Sequence, residues 1–288
     1  MSRRVPGALG LAVLLAAPVV VQAQGDYLDV YIAKARPEKI AEFNAIGKKV
    51  VEANRRYNGD RWVAMETAYG EGDTFVFVSA RQDYGEADKA YEAFLAALNK
   101  AYGKDAADKI MHDWENCLAA SRSELRLRRW DLSRRVPGDR EAEAKLVGGS
   151  RVVRTITVHV RPGKVAEFEA LQREIKAANE KSPNAQPVLV SQAIEGSKGG
   201  TFYISTFRSS MASFDRSPTL RETLGEEGYK KFLQVSADCI ESSESALYRF
   251  SPELSNPPED LVAEAPDFWQ PKTGVTSAAA RTKRKVPR

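Results

Sequence analysis

The chain contains the same domain-sized pattern twice. Residues 36–46 read RPEKIAEFNAI, and residues 161–171 read RPGKVAEFEAL, 125 positions further along. Thr74-Phe75 and Thr201-Phe202 keep a similar spacing of 127 positions. Because the spacing drifts so little, its changes fit short insertions in loops. Two copies of one domain of about 110 residues therefore account for most of the chain.

The N-terminus has the composition of a secretory signal peptide. A basic start precedes an apolar run from Ala8 to Val21, and Val21 and Ala23 stand three and one positions before a plausible cut. We therefore predict a signal peptide over residues 1–23 and export to the periplasm or the medium. A membrane-spanning helix is the alternative, but the run is shorter than the roughly 20 residues that a span needs.

The charge distribution argues against a nucleic-acid partner. The formal net charge of the whole chain is +4. Two positive charges fall in the predicted signal peptide, and residues 272–288 carry six basic side chains and no acidic one, so residues 24–271 have a net charge of −4. A nucleic-acid binder needs a basic surface. We predict no nucleic-acid partner, and we expect residues 256–288 to form a disordered, Pro-rich basic tail.

Each copy predicts the element order β-α-β-β-α-β, with an extra helical segment before the last strand. A segment in which apolar and polar residues alternate predicts the first strand. The Arg-Pro pair that follows predicts the start of a helix, because proline is well accommodated in the first turn of a helix. Ile40, Phe43, Ile46 and Val50 recur at helical spacing and predict the buried stripe. The predicted elements are strands 27–35, 61–68, 74–81 and 124–130 with helical segments 86–102 and 106–121, then strands 151–160, 187–194, 201–208 and 246–250 with helical segments 213–224 and 227–242.

This order is the ferredoxin-like split unit, whose sheet carries helices on one face only. Two copies in one chain can cover their bare faces by closing on each other. We therefore predict an α+β fold in which residues 24–133 and 151–255 are tandem ferredoxin-like repeats packed as an intramolecular dimeric α/β barrel. Residues 134–150 are the linker, and the closed barrel would let the chain act as a monomer.

The R-P-x-K-[IV]-A-E-F entry to the first helix and the element order resemble the dimeric α/β-barrel superfamily over about residues 27–133 and 151–255. That superfamily includes antibiotic-biosynthesis monooxygenases, NIPSNAP proteins, chlorite dismutases and haem-degrading monooxygenases. The likeness is strongest towards NIPSNAP-like and monooxygenase-like members and exported bacterial proteins of unassigned function. It implies the fold rather than the chemistry, with a ligand between a sheet and its helices or within the barrel.

The two cysteines are expected to remain free thiols. Export would expose Cys117 and Cys239 to oxidising conditions, which favours a disulfide. However, they occupy the same position in two repeats related by a pseudo-twofold axis, on helices expected at opposite outer faces. We therefore predict two buried free thiols. The two histidines and two cysteines are too scattered for a zinc site, and we predict no metal.

Polar residues that differ between the two copies are the candidate site residues, because the shared fold explains those that match. His159 stands where the first copy has Lys34. A histidine there would ligate haem or act as a base near neutral pH, or would simply be a polar residue at the rim. The other histidine, His112, is expected to be exposed on a helix.

The last strand of the first copy supplies two further candidates. Arg126 and Arg128 share a strand face with Glu124 and Trp130, where the second copy has Ala246, Tyr248 and Phe250. Guanidinium groups inside a barrel would bind a carboxylate or a propionate, whereas at a sheet edge they would form salt bridges. Glu66 and Trp62 share a face of the second strand and would line the same cavity, although Trp62 also suits the core.

These observations give one leading function and two alternatives. The leading prediction is an exported protein that binds a small apolar or aromatic molecule in or beside the barrel, without a cofactor. The first alternative, implied by the resemblance, is a monooxygenase-like enzyme, either cofactor-free or haem-dependent. The second alternative is a structural or interaction module.

Overall fold

The computed structural model describes residues 26–182 and 184–271, and its eight strands form a closed barrel. The predicted signal peptide and residues 272–288 lie outside the described residues. The strands are β1 (Tyr27–Ala35), β2 (Val63–Tyr69), β3 (Thr74–Arg81), β4 (Leu118–Arg128), β5 (Val152–Val160), β6 (Leu189–Glu195), β7 (Thr201–Arg208) and β8 (Ile240–Phe250). Around the barrel they follow the order β1-β3-β2-β8-β5-β7-β6-β4, and all neighbours are antiparallel.

Two junctions between the repeats close the barrel. β2 pairs with β8, where Met65 lies opposite Phe250, and β4 pairs with β6, where Arg128 lies opposite Ser191. Each junction joins the last strand of one repeat to the second strand of the other, so a pseudo-twofold axis relates the repeats. The prediction of an α+β fold with two β-α-β-β-α-β units closed within one chain is confirmed.

The helices cover the outer face of the barrel and one of its ends. They are α1 (Ile40–Arg56), α2 (Tyr84–Tyr102), α3 (Lys104–Asn116), α4 (Arg140–Gly148), α5 (Val165–Lys181), α6 (Leu220–Cys239, broken at Gly225), α7 (Glu259–Glu264) and α8 (Pro266–Trp269). The apolar stripe of α1 is buried, and the Phe43 ring lies 4.6 Å from Phe75 and 4.2 Å from Trp114. In the second repeat, Phe168 and Phe202 pack at 4.8 Å. Of the helices in the described ranges, none has the length and apolar character that a bilayer crossing requires.

The closing strands begin earlier than the sequence pattern indicates. β4 starts at Leu118 and β8 at Ile240, within segments expected to be helical. Ser121 pairs with Ala33, and Ser243 pairs with Val158, so these stretches belong to the ladder of the barrel. Their small, polar side chains carry no clear alternation, and backbone pairing with the neighbouring strand decides the structure instead.

The linker and the segment after β8 fold together over one end of the barrel. Arg140 of α4 pairs with Asp260 of α7 at 2.6 Å. Trp269 is fully buried, and its Nε1 donates to the carbonyl oxygen of Gly148 at 2.9 Å. The structure thus differs from the expected disordered tail over residues 256–271, because their apolar side chains find an uncovered barrel end to pack against. We call α4, α7 and α8 the end cap.

The cysteines are buried as predicted. Cys117 and Cys239 are free thiols in two separate core clusters, one on the helix side of each repeat. Burial raises the pKa of both thiols. The prediction of two buried free thiols is therefore confirmed.

Candidate functional site

A cavity of about 730 Å³ occupies the barrel interior and extends past the strand ends to α2 and the end cap. Side chains of a strand alternate between its two faces, so every second residue of each strand faces this space. That volume falls within the range of roughly 300–1,000 Å³ that is typical of small-molecule sites. The inward-facing strand residues that line it include Leu28, Ile32, Val63, Met65, Thr67, Val76, Val78, Arg126, Arg128, Val153, Thr155, Thr157, Tyr203, Ser205, Phe207, Ala246, Tyr248 and Phe250.

The two repeats contribute equivalent backbone positions to the lining, but the side chains at those positions differ. Where β3 presents Val76, the equivalent position of β7 presents Tyr203. Where β8 presents Tyr248, the equivalent position of β4 presents Arg126. Most of the wall is apolar, and one group of polar side chains lies on β4 and β7, on either side of β6. The repeat therefore builds the cavity, and differences between its copies give the cavity a polar side.

Glu124 is the centre of that polar side. Its side chain is fully buried, and its Oε2 accepts hydrogen bonds from Arg126 Nε at 2.8 Å and from the Tyr203 hydroxyl at 2.8 Å. Arg126 Nη2 lies 2.6 Å from the same oxygen. Arg122 Nε donates to Oε1 at 2.9 Å. We call Arg122, Glu124, Arg126 and Tyr203 the Glu124 cluster.

The cluster fixes the protonation state of its members. Burial alone would raise the pKa of Glu124, but the charge of Arg126 and hydrogen bonds from Arg122, Tyr203 and Arg126 hold that pKa below its ordinary value. Burial and the neighbouring carboxylate raise the pKa of Tyr203. Burial also raises the pKa of Tyr248. At neutral pH Glu124 is thus a carboxylate, and Tyr203 and Tyr248 are neutral phenols.

Arg126 and Arg128 both line the cavity, and each contacts one carboxylate. Arg128 Nη1 lies 2.6 Å from Glu143 of the end cap, and its guanidinium lies 5.2 Å from the Trp130 ring. Arg126 uses Nε and Nη2 for Glu124, and none of the described residues hydrogen-bonds its Nη1. Only 9% of Arg126 is exposed, and it lines the cavity. It therefore presents unused donors to the interior.

His159 lies outside the central cavity. Its side chain is on the same side of β5 as those of Thr155 and Thr157, but it lies near the end of the strand, at the rim of the barrel. There its Nδ1 is 3.0 Å from Thr201 Oγ1. It also lines a polar recess with Lys198, and this recess adjoins the central cavity at Arg122 and Tyr203. This position matches the rim alternative. The second histidine, His112, is exposed on α3, as predicted.

Trp62 and Glu66 do not share the cavity wall. Trp62 is buried mainly in the helix-side core, where its Nε1 donates to the Leu254 carbonyl at 2.7 Å, and it meets the cavity only as one lining residue. Glu66 is exposed and absent from the lining, because Met65 and Thr67 occupy the inward positions on either side of it. We therefore leave Glu66 out of the candidate site.

Tyr203 is the site residue that sequence reasoning missed. It lies opposite Thr157 in the barrel ladder and reaches Glu124 of the other repeat. The equivalent residue of the first repeat is Val76. The same comparison of the two copies that identified Arg126 would therefore have identified Tyr203 on the third strand.

The lining does not fit a haem group. Haem iron takes a histidine, cysteine or tyrosine ligand, or methionine together with histidine. Among the described residues, neither a histidine nor a cysteine lines the central cavity. Tyr203 donates its proton to Glu124, and the raised pKa of Tyr203 and of Tyr248 disfavours the phenolate that iron would need. The described lining therefore offers haem iron no suitable ligand.

Comparisons with known proteins agree with this architecture. No protein-family model matches the chain, and no curated protein matches it. Among solved structures, an anthrone oxidase-like protein aligns with a TM-score of 0.50 at 12% identity, over 79% of this chain and 92% of that one. The chain has a dimeric α/β-barrel fold. Two further solved structures align less well: a Fusobacterium nucleatum protein provisionally named a monooxygenase (TM-score 0.48, 11% identity, 79% of this chain and 93% of that one) and a chlorite dismutase variant from Candidatus Nitrospira defluvii (TM-score 0.46, 11% identity, 84% of this chain and 95% of that one). At these identities the likeness concerns the fold alone.

Proposed function

We propose that this dimeric α/β-barrel protein binds a small, largely apolar or aromatic molecule inside its barrel. The observation that supports this most is the cavity of about 730 Å³, whose wall is mostly apolar with a few convergent polar groups. Such a lining favours a ligand that leaves water for an apolar wall and is oriented by few hydrogen bonds. The leading role is binding, because the Glu124 carboxylate is already saturated by its own neighbours.

We also propose that the protein acts outside the cytoplasm and as a monomer. The predicted signal peptide over residues 1–23 supports export. Because the barrel closes within one chain, no second copy is needed to complete the cavity. We further propose that, within the dimeric α/β-barrel superfamily, this chain is most similar to the NIPSNAP-like and monooxygenase-like members.

Native mass spectrometry tests the proposal. Residues 24–288 would be recovered from an exporting host, analysed directly, and then titrated with 2-naphthol as a neutral aromatic probe. We expect a monomer that carries a reproducible small-molecule adduct or binds one equivalent of the probe.

A pair of matched variants assigns the adduct to the cavity. Ser205→Phe fills the interior, whereas Ser209→Phe makes the same change at an exposed position just beyond β7. We expect the first variant to lose the adduct and the second to keep it. A folded wild-type protein that binds neither molecule, or equal binding by both variants, contradicts the proposal.

A further inference from the structure

We infer that the ligand of this cavity is an apolar or aromatic monocarboxylate whose carboxylate is held by Arg126. This inference rests on the proposed function and adds the chemical class of the ligand. It depends on three features of the described residues: the unused donors of Arg126, the local balance of charge, and the position of the apolar wall.

The first feature is the hydrogen bonding of Arg126. A guanidinium has five N–H donors, and the two contacts to Glu124 use one edge of it. The Tyr203 ring lies against its face, with the guanidinium carbon 3.4 Å from the ring centre. This stacking fixes the plane of the guanidinium. The Nη1 edge is thus held in one orientation towards the cavity, as a planar acceptor such as a carboxylate requires.

The second feature is charge. Two arginines, Arg122 and Arg126, contact a single carboxylate, so the Glu124 cluster carries one net positive charge. The exposed carboxylate of Glu244 lies at the rim, and Arg128 is neutralised by Glu143. In a partly desolvated cavity, a charge-assisted hydrogen bond to an anionic oxygen is about twice as strong as one to a neutral oxygen. The surplus charge therefore favours an anion over its neutral analogue.

The third feature is the wall facing the Glu124 cluster. Met65, Val153, Phe207 and Phe250 supply an apolar surface towards the end cap, where Trp269 closes the floor beneath Phe250. The two largely buried arginines at that end already face carboxylates: Arg81 pairs with Asp29 and Asp60, and Arg128 pairs with Glu143, so neither leaves a surplus positive charge. A second carboxylate on the ligand would therefore lose its hydration without compensation. This favours a monocarboxylate over a dicarboxylate.

The test compares two probes that differ in charge and little in shape. 2-Naphthoate and 2-naphthamide are titrated into the mature protein by calorimetry at neutral pH. We expect 2-naphthoate to bind at least about tenfold more tightly, since hydrogen bonds between charged groups are stronger than those to a neutral acceptor. Arg126→Met should remove that preference and leave 2-naphthamide affinity nearly unchanged. Arg173→Met is the matched control, because it makes the same change at an arginine that is 51% exposed on the surface and is not among the lining residues.

A second variant keeps the test decisive if Arg126→Met does not fold. Glu124→Gln removes the charge that competes for Arg126, so it should increase 2-naphthoate affinity without changing that of 2-naphthamide. Equal affinity of the wild type for both probes overturns the inference and leaves the proposed function standing. If neither probe binds and 2-naphthol also fails to bind, both the inference and the proposed function are overturned.

Discussion

The guanidinium carbon of Arg126 lies 3.4 Å from the centre of the Tyr203 ring, and both side chains donate to the same oxygen of Glu124. Arg126 belongs to β4 of the first repeat, and Tyr203 belongs to β7 of the second repeat. Because β6 lies between these strands, the contact crosses a junction between the repeats inside the barrel. The cluster that gives the cavity its polarity thus also links the two halves of the chain.

Because of this link, the free energy of unfolding should depend on pH. The pKa of Glu124 in the folded protein is below its ordinary value, so its contribution is complete above the unfolded value of about 4.3 and is lost as the pH falls through the lower folded value. We expect Glu124→Gln to lower the unfolding free energy by about 3 kcal/mol at pH 7, since it leaves Arg126 without its charged partner. That difference should shrink below pH 4. Urea unfolding at pH 7 and pH 3 measures it.

The control for this prediction is Glu71→Gln, which removes a carboxylate that is 61% exposed and paired with Lys34. It should cost no more than about 1 kcal/mol, as is usual for exposed pairs. An equal cost of Glu124→Gln at both pH values would contradict the assigned role of the buried carboxylate.

The turn between β6 and β7 requires glycine at one position. Gly196 has φ of 77°, and a Cβ atom there would collide with the carbonyl oxygen of Ser123 in β4. We expect Gly196→Ala to lower the unfolding free energy by more than about 1 kcal/mol, because alanine is strained at positive φ and must also push the strand away. Gly199→Ala, in the same turn but with open space around it, should be neutral. Thermal unfolding of the pair distinguishes a local clash from general sensitivity of the turn.

The end cap is expected to stabilise the barrel through Trp269. Its ring is fully buried and packs edge-on against Phe250 at 5.4 Å. We expect Trp269→Ala to lower the unfolding free energy by about 3–5 kcal/mol, as for other buried aromatic truncations. Trp269→Phe keeps most of the ring but loses the bond to Gly148, so it should cost about 1 kcal/mol. Chemical denaturation compares them, and a small effect of both would show that the cap adds little.

The two buried thiols should resist modification in the folded protein. Burial raises the pKa of Cys117 and of Cys239, and only the thiolate is nucleophilic. We expect a thiol reagent to leave both unmodified under native conditions and to modify two residues per chain in denaturant. The intact mass should show both in reduced form. A disulfide between Cys117 and Cys239 would contradict the separate core positions of the two residues.

The repeat made most of the fold predictable. The buried stripe of α1, with Phe43 and Val50, and the alternation of β1 and β5 are visible as local periodicity, so strands and helices were assigned in the correct order. The starts of β4 and β8 were missed, because the polar residues around Ser121 and Ser243 enter a strand only through pairing with a distant segment. The folding of residues 256–271 was missed for a similar reason: its apolar residues are too few to form a core alone.

The site was predictable only in part. Comparison of the two copies singled out Arg126 and Arg128, and the structure places both in the cavity wall. It also suggested Glu66, which the pleat of β2 turns to the outside, and His159, which the length of β5 places at the rim.

By itself, the sequence determined the two repeats, their element order and the closure of one chain into a barrel, because these depend on periodicities that recur within short segments. The tertiary structure alone decided which polar residues meet. Arg126, Glu124 and Tyr203 come from two repeats separated by many residues, and only the register of β4 on β6 brings them to one side of the cavity. A one-residue shift of that register would turn these side chains to the opposite face.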